Sequence, residues 1–196
     1  MAKENTERKA DYPIDDIYMN RWSPRAFSDK KVETETLFSV FEAARWAPSA
    51  ANKQPWRFVY AMHEEDRETF LSFINDGNTS WCKHAPVLIA IVANKRWSED
   101  SDDVNPTHAF DTGTAWGFLA LEAYRKGLVT HAMGGFNREK AKEVLQIPDG
   151  HEVLAIVALG YHGDIESLPD SLQKREKKSN RNKIDTFIHE GLYSRR

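Results

Sequence analysis

Arg21 and Arg25 stand four residues apart, with the hydroxyl of Ser23 between them. Two guanidiniums and a neutral donor can converge on one anion, because Arg offers forked donors and Ser adds a third without charge. The same pattern also suits a solvated basic turn. A second stretch, residues 43–58, reads Ala-Ala-Arg-Trp-Ala-Pro-Ser-Ala-Ala-Asn-Lys-Gln-Pro-Trp-Arg-Phe. A helical run into Trp46 stops at Pro48, since proline lacks an N–H and disfavours helix at Ala47. Ser49, Ala50 and Ala51 are small enough to admit a flat ligand or another backbone. Asn52 and Gln54 add amide donors and acceptors. Small surfaces, amides and aromatics suit an aromatic ligand with polar edges. A helix exit packed by two tryptophans is the plainer alternative. A third element, Met133-Gly-Gly-Phe136, can free backbone N–H groups for a ligand or turn with positive φ. From Ser167 to Arg181 the chain turns basic through Lys174, Arg175, Lys177, Lys178 and Arg181, a pattern that usually marks a solvated helix face.

Other chemistries lack their residues. No Gly-x-Gly-x-x-Gly or Walker-type loop is present. The seven histidines form no His-x-x-x-His or His-x-His pair, which argues against zinc. No Gly-x-Ser-x-Gly elbow supports a serine hydrolase. The single cysteine, Cys82, makes no intrachain disulfide and reads as a small buried apolar residue. A formal net charge of −3 gives no general attraction to nucleic acid or an anionic membrane. The longest apolar run, residues 86–93, is too short to span a bilayer, and the charged N-terminus is no signal peptide. The cytoplasm is therefore the expected location.

These residues need a scaffold, and 196 residues with 40% hydrophobic content suffice for one domain with a real core. Residues 1–12 are expected to fray. Ile14, Ile17 and Tyr18 share one side of a short amphipathic piece. A helix over 34–47, with Thr34 as N-cap, is followed by a strand over 58–62 and a helix over 64–74 with Phe70, Leu71 and Ile74 inward. Asn75-Asp-Gly-Asn-Thr reads as a turn. Residues 86–93 read as a strand buried on both faces. The loop 95–106 carries Asp100, Asp102 and Asp103 without metal-ligand spacing and reads as a mobile surface loop. The longest helix spans 107–126, with Phe110, Ala115, Phe118, Leu119, Leu121 and Ala123 on one broad face. Gly113 and Gly117 allow close helix approach there, and Gly127 is the stop. Strands over 128–132 and 152–159 flank a helix over 138–145 capped by Asn137. The tail residues Ile184, Phe187, Ile188, Leu192 and Tyr193 need burial on the body or on a second subunit. Alternating helices and apolar strands argue for an α+β or α/β layered domain.

Taken in order, Arg21-x-Ser23-x-Arg25-x-Phe27, Ala47-Pro-Ser-Ala-Ala-Asn52-x-Gln54-Pro-Trp56, Gly134-Gly135-Phe136 and Arg181 before an apolar tail resemble the nitroreductase family of FMN-dependent oxidoreductases. The resemblance runs from about residue 13 to 192. It implies an α+β fold, a mainly antiparallel sheet flanked by helices in an intertwined homodimer, with the C-terminal arm from residue 181 on the partner. The strands alone fit a doubly wound parallel sheet equally well. The resemblance further implies that Arg21 and Ser23, with Trp22 between them, meet the FMN phosphate, joined by Arg181 or Lys183. Arg25 would reach the ribityl chain and the N1/O2 edge, where a cation stabilises the anionic reduced flavin. Pro48, Ser49, Ala50 and Asn52 would line the isoalloxazine from the other subunit. Gly134 would present its N–H to N5 with Gly135 beside it, and Asn75 is a candidate for the pyrimidine edge. Three departures from the commoner pattern stand out: Trp22 where a second Arg is frequent, Gly134 where many members have Glu, and Asn182-Lys183 in place of a Lys-Pro-like pair.

The implied activity is hydride transfer from NAD(P)H through the flavin to a nitroaromatic, quinone or similar acceptor, with no side chain as nucleophile or general acid. A dehydrogenase or dehalogenase on the same scaffold, and a non-catalytic flavin-binding dimer, are the alternatives.

Overall fold

The computed structural model describes residues 8–98 and 102–193. Four strands, β1 (Trp56–Ala61), β2 (Val87–Asn94), β3 (Val129–Met133) and β4 (His151–Gly160), form one sheet in the order β1-β2-β4-β3. Every neighbouring pair is antiparallel, so the parallel alternative falls away. The register Trp56↔Ala93 to Ala61↔Leu88 shows the chain doubling back between β1 and β2. The central strand β2 is buried at every residue, as its unbroken apolar run predicts.

Alternation along β2 divides the core in two. Val87, Ile89 and Ile91 pack with Leu37, Val40 and Ala44 of α2 (Thr34–Arg45) and Ala115, Leu119 and Ala123 of α5 (His108–Arg125). Leu88, Ala90 and Val92 meet Phe70, Phe73, Trp81, Met133 and Ile156 on the opposite face. There lie α3 (Glu64–Leu71), α4 (Asp76–Cys82) and α6 (Arg138–Val144). Asn137 caps α6, its side chain accepting from Lys140 N at 3.0 Å. Gly127, at φ 75°, closes α5, and Leu128 N returns to Ala123 O at 2.8 Å. Cys82 is buried, and burial pushes its thiol up to about 12.

Several local expectations are corrected. Thr34 is the first helical residue of α2, and Glu33 holds the cap position without a side-chain bond. The helix from 64 ends at Leu71. Asn75-Asp-Gly-Asn-Thr begins α4 instead of forming a turn, because burial of Trp81 and Cys82 outweighs the local turn preference. In α5, Phe110 and Phe118 are exposed and do not share the buried side of Ala115, Leu119 and Ala123. Gly113 and Gly117 face open space within the subunit. The basic run after α7 (Asp170–Gln173) is irregular and not a helix face. Phe187, Ile188, Leu192 and Tyr193 find no burial on the body.

The 95–106 segment is tied by an Arg96↔Val104 bridge and an Arg96–Asp102 ion pair of 3.1 Å; Asp100 lies outside the described residues. So do residues 1–7 of the stretch expected to fray, whereas Arg8 is held by three carbonyls. Among the described residues no cluster of three metal-binding side chains occurs, and no helix is long and apolar enough to cross a membrane.

Two glycines give opposite expectations. A Cβ at Gly163 would collide with the backbone of Phe27 and Ser28, while one at Gly77 in α4 would meet nothing. In urea unfolding, Gly163→Ala destabilises by more than about 1 kcal/mol, the overpacking range. Gly77→Ala is neutral or stabilising by up to about 1 kcal/mol.

Candidate functional site: a cationic cavity and two loops

A cavity of about 310 Å³ is lined by Arg8, Arg21, Trp22, Ser23, Arg25, His131, Arg175, Lys177, Ser179 and Arg181. No carboxylate lines it among the described residues. The segment that follows α1 (Asp16–Asn20) builds one wall. It runs non-helically to the Phe27↔His162 bridge, with Pro24 and Ala26 buried. Pro24 and Ala26 are buried, while Arg21, Trp22, Ser23 and Arg25 all line the cavity. Arg21 NH1 lies 3.4 Å from Ser23 Oγ.

The opposite wall arrives from the far end of the chain. Glu176, buried within the basic run, accepts from Arg25 N at 2.6 Å and Ala26 N at 2.8 Å. Arg8 adds a second fastening. Its Nε donates to Ser179 O at 2.8 Å, and its NH1 to Met19 O at 2.7 Å and Arg21 O at 2.8 Å. The carbonyls of Met19 and Arg21 sit at the C-terminal end of α1, where a cation is favoured. Burial, then the charges of Arg181 and Arg8, hold Arg21 below its ordinary pKa; burial and Arg181 do the same to Arg8. The cavity thus concentrates positive charge and strong donors, as an anion requires.

His131 of β3 lies beneath it, its ring 4.6 Å from that of Trp81. Its Nδ1 is 3.0 Å from Pro24 O, and a carbonyl only accepts, so Nδ1 carries the proton. Burial lowers its pKa and keeps the ring neutral.

The loop after α2 forms a separate constellation. Ala51, Asn52 and Gln54 adopt φ of 47°, 54° and 49°. Non-glycine residues there cost on the order of 1–3 kcal/mol each and mark places where the surroundings over-determine the backbone. Here Gln54 N donates to Ser49 Oγ at 3.0 Å, and Ala50 N donates to the buried Asp111 of α5 at 3.1 Å. Trp56 is buried but Trp46 is exposed, so two tryptophans do not pack this helix exit together. Pro48, Ser49, Ala50 and Asn52 remain outside the cationic cavity of their own subunit.

Asn75 and Gly135 also meet, Asn75 N donating to Gly135 O at 3.1 Å. Neither Gly134 nor Gly135 has positive φ, so the turn option is corrected. A Cβ at Gly135 would meet the movable side-chain amide of Asn78 at 2.8 Å, whereas Gly134 is open. Lys183 lines an adjoining cavity of about 430 Å³ that shares Arg8 and Arg181 with the first. Of the two C-terminal cations weighed from sequence, Arg181 is the one in the cationic cavity. Arg8, His131, Glu176 and Asp111 escaped sequence reasoning. Only Glu176, a lone acid inside a basic run, left a local signal.

The Nitroreductase family model matches residues 18–80 and 61–161. The chain belongs to the Nitroreductase family. Its fold superimposes on a solved structure described as an oxidoreductase containing FMN, with TM-score 0.92 and 40% identity over 98% of this chain and 99% of that one. A Streptomyces coelicolor protein provisionally named NADH dehydrogenase/NAD(P)H nitroreductase is 29% identical, matching 67% of this chain and 74% of its own. An iodotyrosine deiodinase of Haliscomenobacter hydrossis is 26% identical, matching 81% of this chain and 82% of its own.

His131 yields a pH expectation. Above its ordinary value of 6.5 the ring is neutral folded or unfolded and contributes nothing to the difference. Below it, the unfolded chain takes up a proton that the buried ring resists, so stability is lost as pH falls through 6.5 toward the lower folded value. Urea midpoints measured downward from that pH should fall less steeply for His131→Gln than for the unaltered protein.

Proposed function

We propose that this member of the Nitroreductase family is an FMN-dependent oxidoreductase, acting as a homodimer on a small oxidised acceptor with NAD(P)H as reductant. The observation that carries the reading is the convergence of Arg21, Ser23 and Arg25 with Arg8 and Arg181, from opposite ends of the chain, on one cavity that no carboxylate lines among the described residues. Guanidiniums and a hydroxyl are the donor set a phosphate monoester takes, so the residues fit the group. Arg8, Arg21, Ser23 and Arg181 hold the phosphate, with Trp22 on the same wall. Arg25 serves the flavin's N1/O2 edge. Pro48, Ser49, Ala50 and Asn52 come from the partner, on a loop whose strained backbone at Ala51, Asn52 and Gln54 keeps a flat face open to the ring system. Gly134 and Gly135 serve the N5 side, and Asn75 and Lys183 are outer candidates. When bound, FMN would supply the chemistry, hydride transfer from reduced nicotinamide to the acceptor in ping-pong order. The protein binds, orients and excludes water, and no side chain acts as nucleophile.

The dimer is supported by what the subunit leaves uncovered. Phe110 (77% exposed) and Phe118 flank Gly113 and Gly117 on α5, and Leu192 (86%) and Tyr193 project from the tail. So large an apolar surface suits a partner copy. Neither a nucleic-acid nor a membrane partner is called for, and the cytoplasm is the proposed location. A second reading, reductive dehalogenation of a small phenol, is favoured by the deiodinase relative.

Purified protein should bind FMN in a flavin-fluorescence titration and sediment as a dimer. Arg21→Ala and Arg181→Ala should each weaken FMN about 10–100-fold, the worth of a charge-assisted bond, while barely affecting riboflavin, which lacks the phosphate. NAD(P)H should bleach the bound flavin, and a nitroaromatic, quinone or iodophenol should restore the colour. A protein with no affinity for FMN would defeat the reading.

A further inference from the structure

Glu176 is the acid that the proposed chemistry does not use. Its side chain is fully buried beneath a cluster of cations. One oxygen, Oε1, accepts from the backbone N–H groups of both Arg25 and Ala26. The other, Oε2, is buried with no hydrogen-bond partner and lies 3.9 Å from Arg25 NH1. His162 Nε2 approaches Oε1 at 3.8 Å. Two jobs are therefore divided between the two oxygens. Oε1 fixes the backbone of the Arg21–Arg25 wall to the C-terminal run. Oε2 sets a negative charge against the guanidinium of Arg25. A buried carboxylate oxygen left without a donor is costly, so its position has a consequence for Arg25, the guanidinium beside it.

We propose that Glu176 is a positioning residue that fixes Arg25 toward the flavin and, through the charge placed against that guanidinium, lowers the reduction potential of the bound cofactor. The assignment rests on the FMN reading above. A cation at the N1/O2 edge favours the anionic reduced flavin, and a carboxylate behind that cation offsets part of the effect. The lone acid in Lys174-Arg-Glu-Lys-Lys178 is thus tied to the poise of a cofactor with no direct contact to it.

Glu176→Gln keeps an oxygen able to accept both N–H groups and removes the charge. Glu176→Ala removes both. Glu166→Gln, exposed on the turn Ile165–Ser167, is the control. FMN affinity is read by fluorescence titration and the midpoint potential by equilibration with a reference dye. The Gln variant should keep wild-type FMN affinity within a few fold and show a raised midpoint potential. The Ala variant should lose at least tenfold in affinity, and the control should match wild type in both. A Gln variant that holds FMN at the wild-type potential overturns the assignment, leaving Glu176 a structural clamp. A Gln variant that loses FMN overturns it too, because the clamping oxygen is retained. If the Ala variant fails to fold, the Gln measurement decides. Wild-type protein without affinity for FMN sinks the cofactor reading, and this assignment with it; FMN-loaded wild type beside an unshifted Gln variant sinks the assignment alone.

Discussion

Like charges repel, and the cavity exists because the fold holds them together regardless. Burial, then the charge of Arg181, lowers the proton affinity of Arg21 and Arg8, and Arg8 lowers that of Arg21 further, as expected of cations crowded out of water. Backbone carbonyls and one buried carboxylate supply the opposing force. Arg8 is bound by three carbonyls, Arg181 NH1 by Ser179 and Asn180, and the Arg25–Ala26 backbone by Glu176. The energy for this crowding comes from burial of the two apolar layers, one of which reaches the cavity through Trp81 beside His131. An anion entering it relieves the repulsion, so binding gains what folding gave up.

Two loops, one at the cationic cavity and one after α2, illustrate a shared device. Each is secured by a buried carboxylate accepting backbone N–H groups: Glu176 for residues 25 and 26, Asp111 for residue 50. Asp111 also accepts from Thr107 Oγ1 at 2.9 Å, which links the strained loop to the start of α5. A carboxylate takes several donors at once and fixes a loop without filling the space a ligand needs. Loops with irregular backbone can then sit on a rigid sheet and present small residues outward. The deep β2–β4 pairing provides that rigidity, with every residue of β2 buried.

The exposed apolar surface belongs to the same plan. The outward stripe of α5 and the uncovered tail cost solubility in a lone subunit. The stripe lies on the helix that also holds the 49–54 loop through Asp111. A single subunit keeps Ser49 apart from its own cationic cavity.

How much was legible follows the range of the forces involved. Strong local signals were read from the chain itself: the unbroken apolar run of β2, the Gly127 stop, the Asn137 cap and the proline that ends α2. These depend on neighbours within a few residues. The spacing of Arg21, Ser23 and Arg25 also pointed to an anion, because two guanidiniums and a hydroxyl within five residues can converge on one group. Antiparallel pairing was not determined locally, since a strand buried on both faces reads alike in either direction. Nor were the start of α4, where tertiary burial overrode turn chemistry, or the outward turn of Phe110 and Phe118. Arg8, His131 and Glu176 gained meaning only when contacts spanning up to 171 residues closed around the cavity. The sequence therefore determined the kinds of groups available and their local geometry. Only the tertiary structure decided which charges meet, because electrostatic attraction acts through space and leaves no periodic trace along the chain.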